Sequence, residues 1–225
     1  MPETNEQRVQ AILRDAGRPL KVSDFAKYGI NRLALHRLEK SGVIERAGAG
    51  IYRMPETAGP YADWAALALR YPQSVICTLS AASFHGTTQV MPASIHVAFP
   101  GETRGSHACS SFPVGVEIHR WKVRRNPELF NLGVETYTIE NVPVRITDPE
   151  RTLADIFRFS SANPSMNPEA VHADHETFLD TLRRTVSRPD FDVSKLDRYI
   201  DMLGVGRAFD PYLRTVFFTM AEVPV

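Results

Sequence analysis

Ser23-Asp24-Phe25-Ala26-Lys27-Tyr28-Gly29-Ile30, then Asn31 to Ser41, then Gly42-Val43-Ile44-Glu45-Arg46-Ala47-Gly48-Ala49-Gly50-Ile51-Tyr52-Arg53 is the stretch on which the fold turns. Its first part is a short segment closed by glycine. Its second part carries Leu35 and Leu38 three apart, with Ile30 and Val43 beside them, and places Arg32, His36, Arg37 and Lys40 mainly on the other side. Its third part is two β-prone runs, Val43–Arg46 and Ile51–Arg53, joined through Ala47-Gly48-Ala49-Gly50, which holds the glycines a hairpin needs. Helix, turn, basic helix and hairpin in this order predict a winged helix-turn-helix, whose second helix fits the major groove of DNA.

Local chemistry supports each boundary. Ser23 or Asp24 can accept backbone N–H bonds where the first helix starts, and Asn31 can cap the second. Gly29 suits the turn because glycine takes positive φ without strain. Upstream, Val9, Ile12 and Leu13 give one apolar face to a helix over 5–16, which Gly17 ends as a C-cap. In this reading Asn31, Arg32, His36 and Arg37 face base edges or adjoining phosphates. Lys40, Arg46 and Arg53 contact phosphate, the last two from the flanks of the hairpin.

Charge separates this module from a plain packing unit. The whole chain holds 26 basic and 26 acidic side chains, but residues 1–55 hold ten basic against six acidic, a net +4 that leaves −4 for residues 56–225. A neutral chain that sorts positive charge onto one small module suits phosphate contact.

Met54-Pro55-Glu56-Thr57-Ala58-Gly59-Pro60 interrupts the pattern, and the predicted domains are 1–58 and 59–225. Beyond the break the expectation is a helix over 61–70, a strand over 75–78 and a short helix over 81–85 capped by Ser80. Strands follow over 95–99, 116–123, 134–139 and 142–146, the last two joined through Glu140-Asn141. Thr147-Asp148-Pro149-Glu150 starts a helix with a cap, a first-turn proline and an acid at the positive end of the dipole. Helices near 169–187, 193–203 and 208–220 finish the chain. The fold class is therefore α+β: an N-terminal winged helix followed by a mixed α+β domain.

At 225 residues with 43% hydrophobic and 23% charged side chains, the chain supports a full core. No apolar run reaches membrane-spanning length, and the N-terminus has no secretory pattern. Cys77 and Cys109 are too few for a disulfide framework or a four-cysteine zinc site, so a reducing cytoplasm is the expected setting and no cofactor is implied. Catalytic patterns fail. Gly105-Ser106 is followed by Glu117-Ile118-His119, where a nucleotidyltransferase needs a second carboxylate. The same triplet fails the Glu-x-Lys pattern of a nuclease. Ser80 and Ser83 lack a nucleophile elbow. His172, Asp174, His175 and Glu176 are read as a solvated helix face rather than metal ligands. His85, His96 and His119, at strand or helix ends, are read as ordinary hydrogen-bonded core histidines, with a convergent group as the alternative. No enzyme activity and no metal are expected. Arg151 and Asp155, four apart, are read as a helix pair worth a few tenths of a kcal/mol (about 0.3) rather than as a partner contact. Arg120, Trp121, Lys122, Arg124 and Arg125 form the one basic cluster of the acidic half. They are a candidate surface for RNA or a protein partner, set against a charged edge strand.

Three stretches together resemble the AbiEi-type antitoxins, regulators of bacterial type IV toxin–antitoxin systems linked to phage defence. They are Leu35-x-x-Leu38-x-x-x-Gly42-Val43-Ile44-Glu45-Arg46 with Gly50-Ile51-Tyr52, the run from Val75 to Gly86 with Ile95-His96-Val97-Ala98, and Asp148-Pro149-Glu150-Arg151-Thr152-Leu153-Ala154-Asp155-Ile156-Phe157. The resemblance implies a transcriptional autorepressor that binds double-stranded DNA at its own promoter. It also implies an antitoxin role in the C-terminal domain, against a nucleotidyltransferase-like toxin countered without a tight complex. The alternative expectation is a stand-alone regulator whose C-terminal domain binds a ligand or protein.

Overall fold

The computed structural model describes residues 4–99, 112, 114–119, 121, 127–163 and 173–221. It is α+β. The N-terminal part runs α1 (Asn5–Ala16), β1 (Leu20–Lys21), α2 (Val22–Ala26), α3 (Arg32–Lys40), β2 (Glu45–Gly48) and β3 (Ile51–Arg53), with the strands in the order β1-β3-β2, antiparallel throughout. The helix over 5–16 has its predicted bounds. Thr4 and Gln7 form a capping box at its start, and Gly17 closes it at φ +56°. Val9, Leu13, Leu20, Phe25, Ile30, Leu35, Leu38, Ile44, Tyr52 and Met54 make one core under these elements.

The rest comprises α4 (Ala62–Arg70), β4 (Val75–Ile76), α5 (Thr78–Phe84), β5 (Ser94–Ala98), β6 (Gly115–His119), β7 (Val134–Ile139), β8 (Val142–Thr147), α6 (Pro149–Arg158), α7 (His175–Val186), α8 (Val193–Met202) and α9 (Gly206–Ala221). The five strands are ordered β6-β5-β4-β8-β7. The β4–β8 and β5–β6 pairs are parallel; the β4–β5 and β7–β8 pairs are antiparallel. Glu140 and Asn141 both take positive φ, 48° and 54°, which gives the two-residue hairpin the right-handed twist of its strands.

Two local expectations change. The strand expected over 75–78 stops at Ile76, and α5 begins at Thr78 rather than behind Ser80. Ser80 lies inside α5, where its hydroxyl accepts the His96 N–H of β5 at 2.9 Å. That bond is made across elements, so the local pattern read it as a cap. The strand expected over 116–123 ends at His119 among the described residues, and the helix expected from 169 is described from His175.

The predicted 1–58 and 59–225 parts share core. Ala47 and Ile51 of the hairpin pack in one cluster with Trp64, Ala65 and Leu67 of α4 and with β4, β5 and β8. Across the same seam, Asn141 Nδ2 donates to the Gly17 carbonyl at 3.3 Å.

His85 adds a pH-dependent tie between α5 and β8. Its Nε2 donates to the Thr147 carbonyl at 2.7 Å, and burial pulls its pKa below the ordinary 6.5. Folding therefore favours the neutral ring. The stability it contributes is complete above about pH 6.5 and is lost as pH falls through the lower folded-state value. Thermal melts at stepped acid pH are expected to fall more steeply for the wild type than for His85→Asn; equal slopes would exclude this assignment.

Candidate nucleic-acid interface

The turn between α2 and α3 is set by backbone chemistry. Gly29 N–H donates to the Ala26 carbonyl and Ile30 N–H to the Phe25 carbonyl, at 3.0 and 3.2 Å, with Gly29 at φ +71°. This is the glycine-dependent Schellman closure, and its apolar pair Phe25 and Ile30 sits in the N-terminal core. It releases the chain directly into α3, where Asn31 Oδ1 accepts the Ala34 N–H at 2.9 Å. Of the alternatives for α2, Asp24 is the acceptor: its carboxylate takes the Lys21 N–H at 3.1 Å.

Leu35 and Leu38 turn into the core, so the opposite side of α3 is fixed outward. Arg32, His36, Arg37 and Lys40 are all exposed there, as is the capping Asn31. The structure thus brings five of the seven predicted contact residues onto one surface. His36 Nδ1 lies 3.4 Å from Glu39, which holds the ring along the helix.

The hairpin residues divide by strand parity. Arg46 pairs in register with Tyr52, and both belong to the face toward α3, where Arg32, Glu39 and Arg46 act electrostatically on the buried Tyr52 hydroxyl. Arg46 is exposed, with its Nε donating to the Gly48 carbonyl at 3.3 Å. Arg53 pairs in register with Glu45 on the other face, the one that carries Ile51 into α4.

Arg53 is therefore corrected. It is not a phosphate ligand: its guanidinium lies between Glu45 and Asp63 at 2.9 and 2.8 Å, its side chain only 10% exposed. Burial works against its charge, but the two carboxylates more than compensate and hold its pKa above the usual value. Arg53→Ala is expected to cost about 1.5–3 kcal/mol of stability, the range for hydrogen bonds to charged groups. If the chain binds duplex DNA, Arg53→Ala should leave the salt dependence of that binding unchanged, as a nitrocellulose filter titration at several salt concentrations would check. The sequence holds a signal for this placement, because Arg53 has the parity of Ile51.

The second basic cluster also changes. Trp121 is buried against Phe130, and the Arg151 guanidinium lies 4.3 Å from its ring centroid, so it is not an exposed stacking surface. Arg120, Lys122, Arg124 and Arg125 lie outside the described residues. So do Gly105, Ser106, Cys109 and His172. Asp174 caps α7 through the Thr177 N–H at 2.7 Å, and His175 and Glu176 are exposed. Among the described residues no group of three His, Cys, Asp or Glu is placed to hold a metal.

The helix pair Arg151–Asp155 is not at the surface. Both side chains are fully buried at 2.8 Å from each other, and Arg151 Nη1 also donates to the carbonyls of Leu129 and Leu132 at 3.0 and 2.7 Å. Burial excludes the partner-contact reading, and it also removes the pair from the class of weak exposed pairs. At the head of the same helix Asp148 accepts from Arg151 N, the Tyr199 hydroxyl and Lys195 Nζ at 2.8, 2.9 and 3.0 Å.

His96 and His119 do converge, unlike His85. Thr78 Oγ1 lies 2.9 Å from His96 Nδ1 and 3.2 Å from His119 Nε2, with the two nitrogens 2.9 Å apart. Thr78 reaches this position at φ +46°, a strained backbone for a β-branched residue. All three are buried, so the cluster ties α5, β5 and β6 together beneath the surface. The convergence of His96 and His119, set second to separate core histidines in the sequence reading, depends on strand register.

A family comparison concerns the same N-terminal segment. Residues 7–55 match the family described as transcriptional regulator, AbiEi antitoxin. The resemblance read from the sequence is thereby supported over α1 to β3. No curated protein matches the chain. A crystal structure of the RV2827C protein from Mycobacterium tuberculosis aligns over 92% of this chain and 79% of that chain, with a TM-score of 0.49 and 18% identity. Among the described residues no helix is long and apolar enough to cross a membrane.

Proposed function

We propose that the chain is a noncatalytic DNA-binding repressor of its own promoter and the antitoxin of a bacterial toxin–antitoxin pair. The observation that carries the reading is the outward face of α3. It is a row of exposed basic side chains behind a glycine turn, inside the segment that matches a transcriptional-regulator family. In this reading residues 1–58 are a winged helix-turn-helix, α3 enters the major groove, and Arg46 reaches phosphate from the hairpin. The hairpin differs from a free wing in one respect: its Ala47 and Ile51 are packed against α4, so only its Arg46 side faces DNA.

The antitoxin role is assigned to residues 59–225, with a nucleotidyltransferase-like toxin as the functional partner, since the winged helix is already committed to DNA. Phage defence and a cytoplasmic setting follow from the same assignment.

The test is a mobility shift of the DNA upstream of the chain's own gene by the full-length protein. Binding is expected to exceed that to random duplex of equal length and to weaken steeply with salt. Equal affinity for both duplexes would exclude a promoter-specific repressor. Loss of rescue from a co-expressed neighbouring toxin on truncation after residue 58 is expected. Full rescue by the truncated chain would reduce the protective effect to repression.

A further inference from the structure

One side chain on the outward face of α3 does not fit a purely basic surface. Leu33 is 57% exposed, among the most exposed large apolar residues of the described chain. Leu33, His36, Arg37 and Lys40 stand at i, i+3, i+4 and i+7, so they form a single stripe along the helix. Leu35 and Leu38 define the buried side, and Leu33 is nearly opposite them. It lies in the first turn, just behind the Asn31 cap, at the end of a recognition helix that approaches base edges.

We infer that Leu33 is a specificity-determining residue that packs on the 5-methyl group of a thymine in the major groove. The inference rests on the reading of α3 as the recognition helix. The occupant follows from the surroundings. A cover for Leu33 must be apolar at one point yet accept Arg32, Arg37 and Lys40 around it, all exposed. The major groove offers that combination: phosphates and guanine acceptors for the cations, and the thymine methyl as its apolar group. Exposed apolar area left in water gains nothing, whereas one methyl group buried against a leucine strengthens binding about fourfold.

The experiment uses the full-length protein and synthetic duplex DNA. Preferred sites are first selected from a random-sequence duplex pool. Each thymine of a selected site is then replaced in turn by deoxyuridine, which removes only the methyl and keeps the base pair. Wild type is expected to bind about fourfold more weakly when one or two specific thymines are replaced. Leu33→Ala, whose folding is verified by its melting temperature, is expected to bind the thymine and deoxyuridine forms of that site equally. Equal wild-type affinity for every replaced duplex would overturn the inference, as would discrimination that survives in Leu33→Ala. A dimer that Leu33→Ala converts to monomer, with binding indifferent to deoxyuridine, would reassign the residue to a contact between copies. Selection that enriches no sequence at all would remove the parent reading as well, a result distinct from enriched sites that ignore the methyl.

Discussion

Arg151→Ala is expected to destabilise the protein by about 3–5 kcal/mol, the cost of leaving one partner of a buried ion pair unmatched. The expectation follows from position. Arg151 and Asp155 have no exposed side-chain surface, and the guanidinium also satisfies two loop carbonyls and lies over Trp121. Removing it strands a carboxylate and two carbonyls together. Burial already pushes the Asp155 carboxyl up against the opposing pull of Arg151 and Arg158, so without Arg151 it is expected to fold protonated. Urea unfolding of Arg151→Ala and of the Arg151→Met, Asp155→Leu pair measures both effects. The double variant is expected to retain more stability than Arg151→Ala, because it leaves no buried charge alone. A loss below about 0.5 kcal/mol for Arg151→Ala would place the pair with exposed helix pairs.

Arg32→Ala and Arg37→Ala are each expected to weaken binding to the selected or promoter site by about 1–3 kcal/mol, the range for a bidentate arginine–guanine contact. Both side chains are exposed on the outward face of α3, and neither supports the core, so their loss should leave the melting temperature unchanged. Arg46→Ala is expected to act differently. It should weaken specific and random duplex alike and lower the salt slope by about one contact. Fluorescence anisotropy on both duplexes across a salt series separates the two behaviours. Equal losses on random duplex for all three variants would mean that none of them reads bases.

The contrast between Arg46 and Arg53 shows where reading along the chain stops. Both flank the hairpin, and both carry the charge that a phosphate contact needs. What separates them is which face of a two-stranded ribbon meets α4. That depends on Asp63, in an element ten residues on, and on Ile51 joining a core built from strands far along the chain. Composition gives the charge, and only packing says that one of the two is already neutralised.

Arg151 and Trp121 make the same point from the opposite side. An Arg–x–x–x–Asp spacing reads as an ordinary exposed helix pair, and a tryptophan among basic residues reads as a stacking surface. The chain brings the two together from thirty positions apart, and each buries the other. Thr78, His96 and His119 likewise meet only because β5 and β6 run in parallel register with α5 above them.

By itself the sequence determined what short-range chemistry determines. It placed α1 between Thr4 and Gly17, the glycine turn at Gly29, the Asn31 cap, the outward basic face of α3, the Glu140-Asn141 hairpin and the Asp148-Pro149 helix start. Those features are decided within about one turn of chain by hydrogen bonds and side-chain periodicity. The tertiary structure alone decided which charges are free. Desolvation and ion pairing depend on neighbours that sequence distance does not encode, so Arg32, Arg37 and Lys40 stay in water while Arg53 and Arg151 do not.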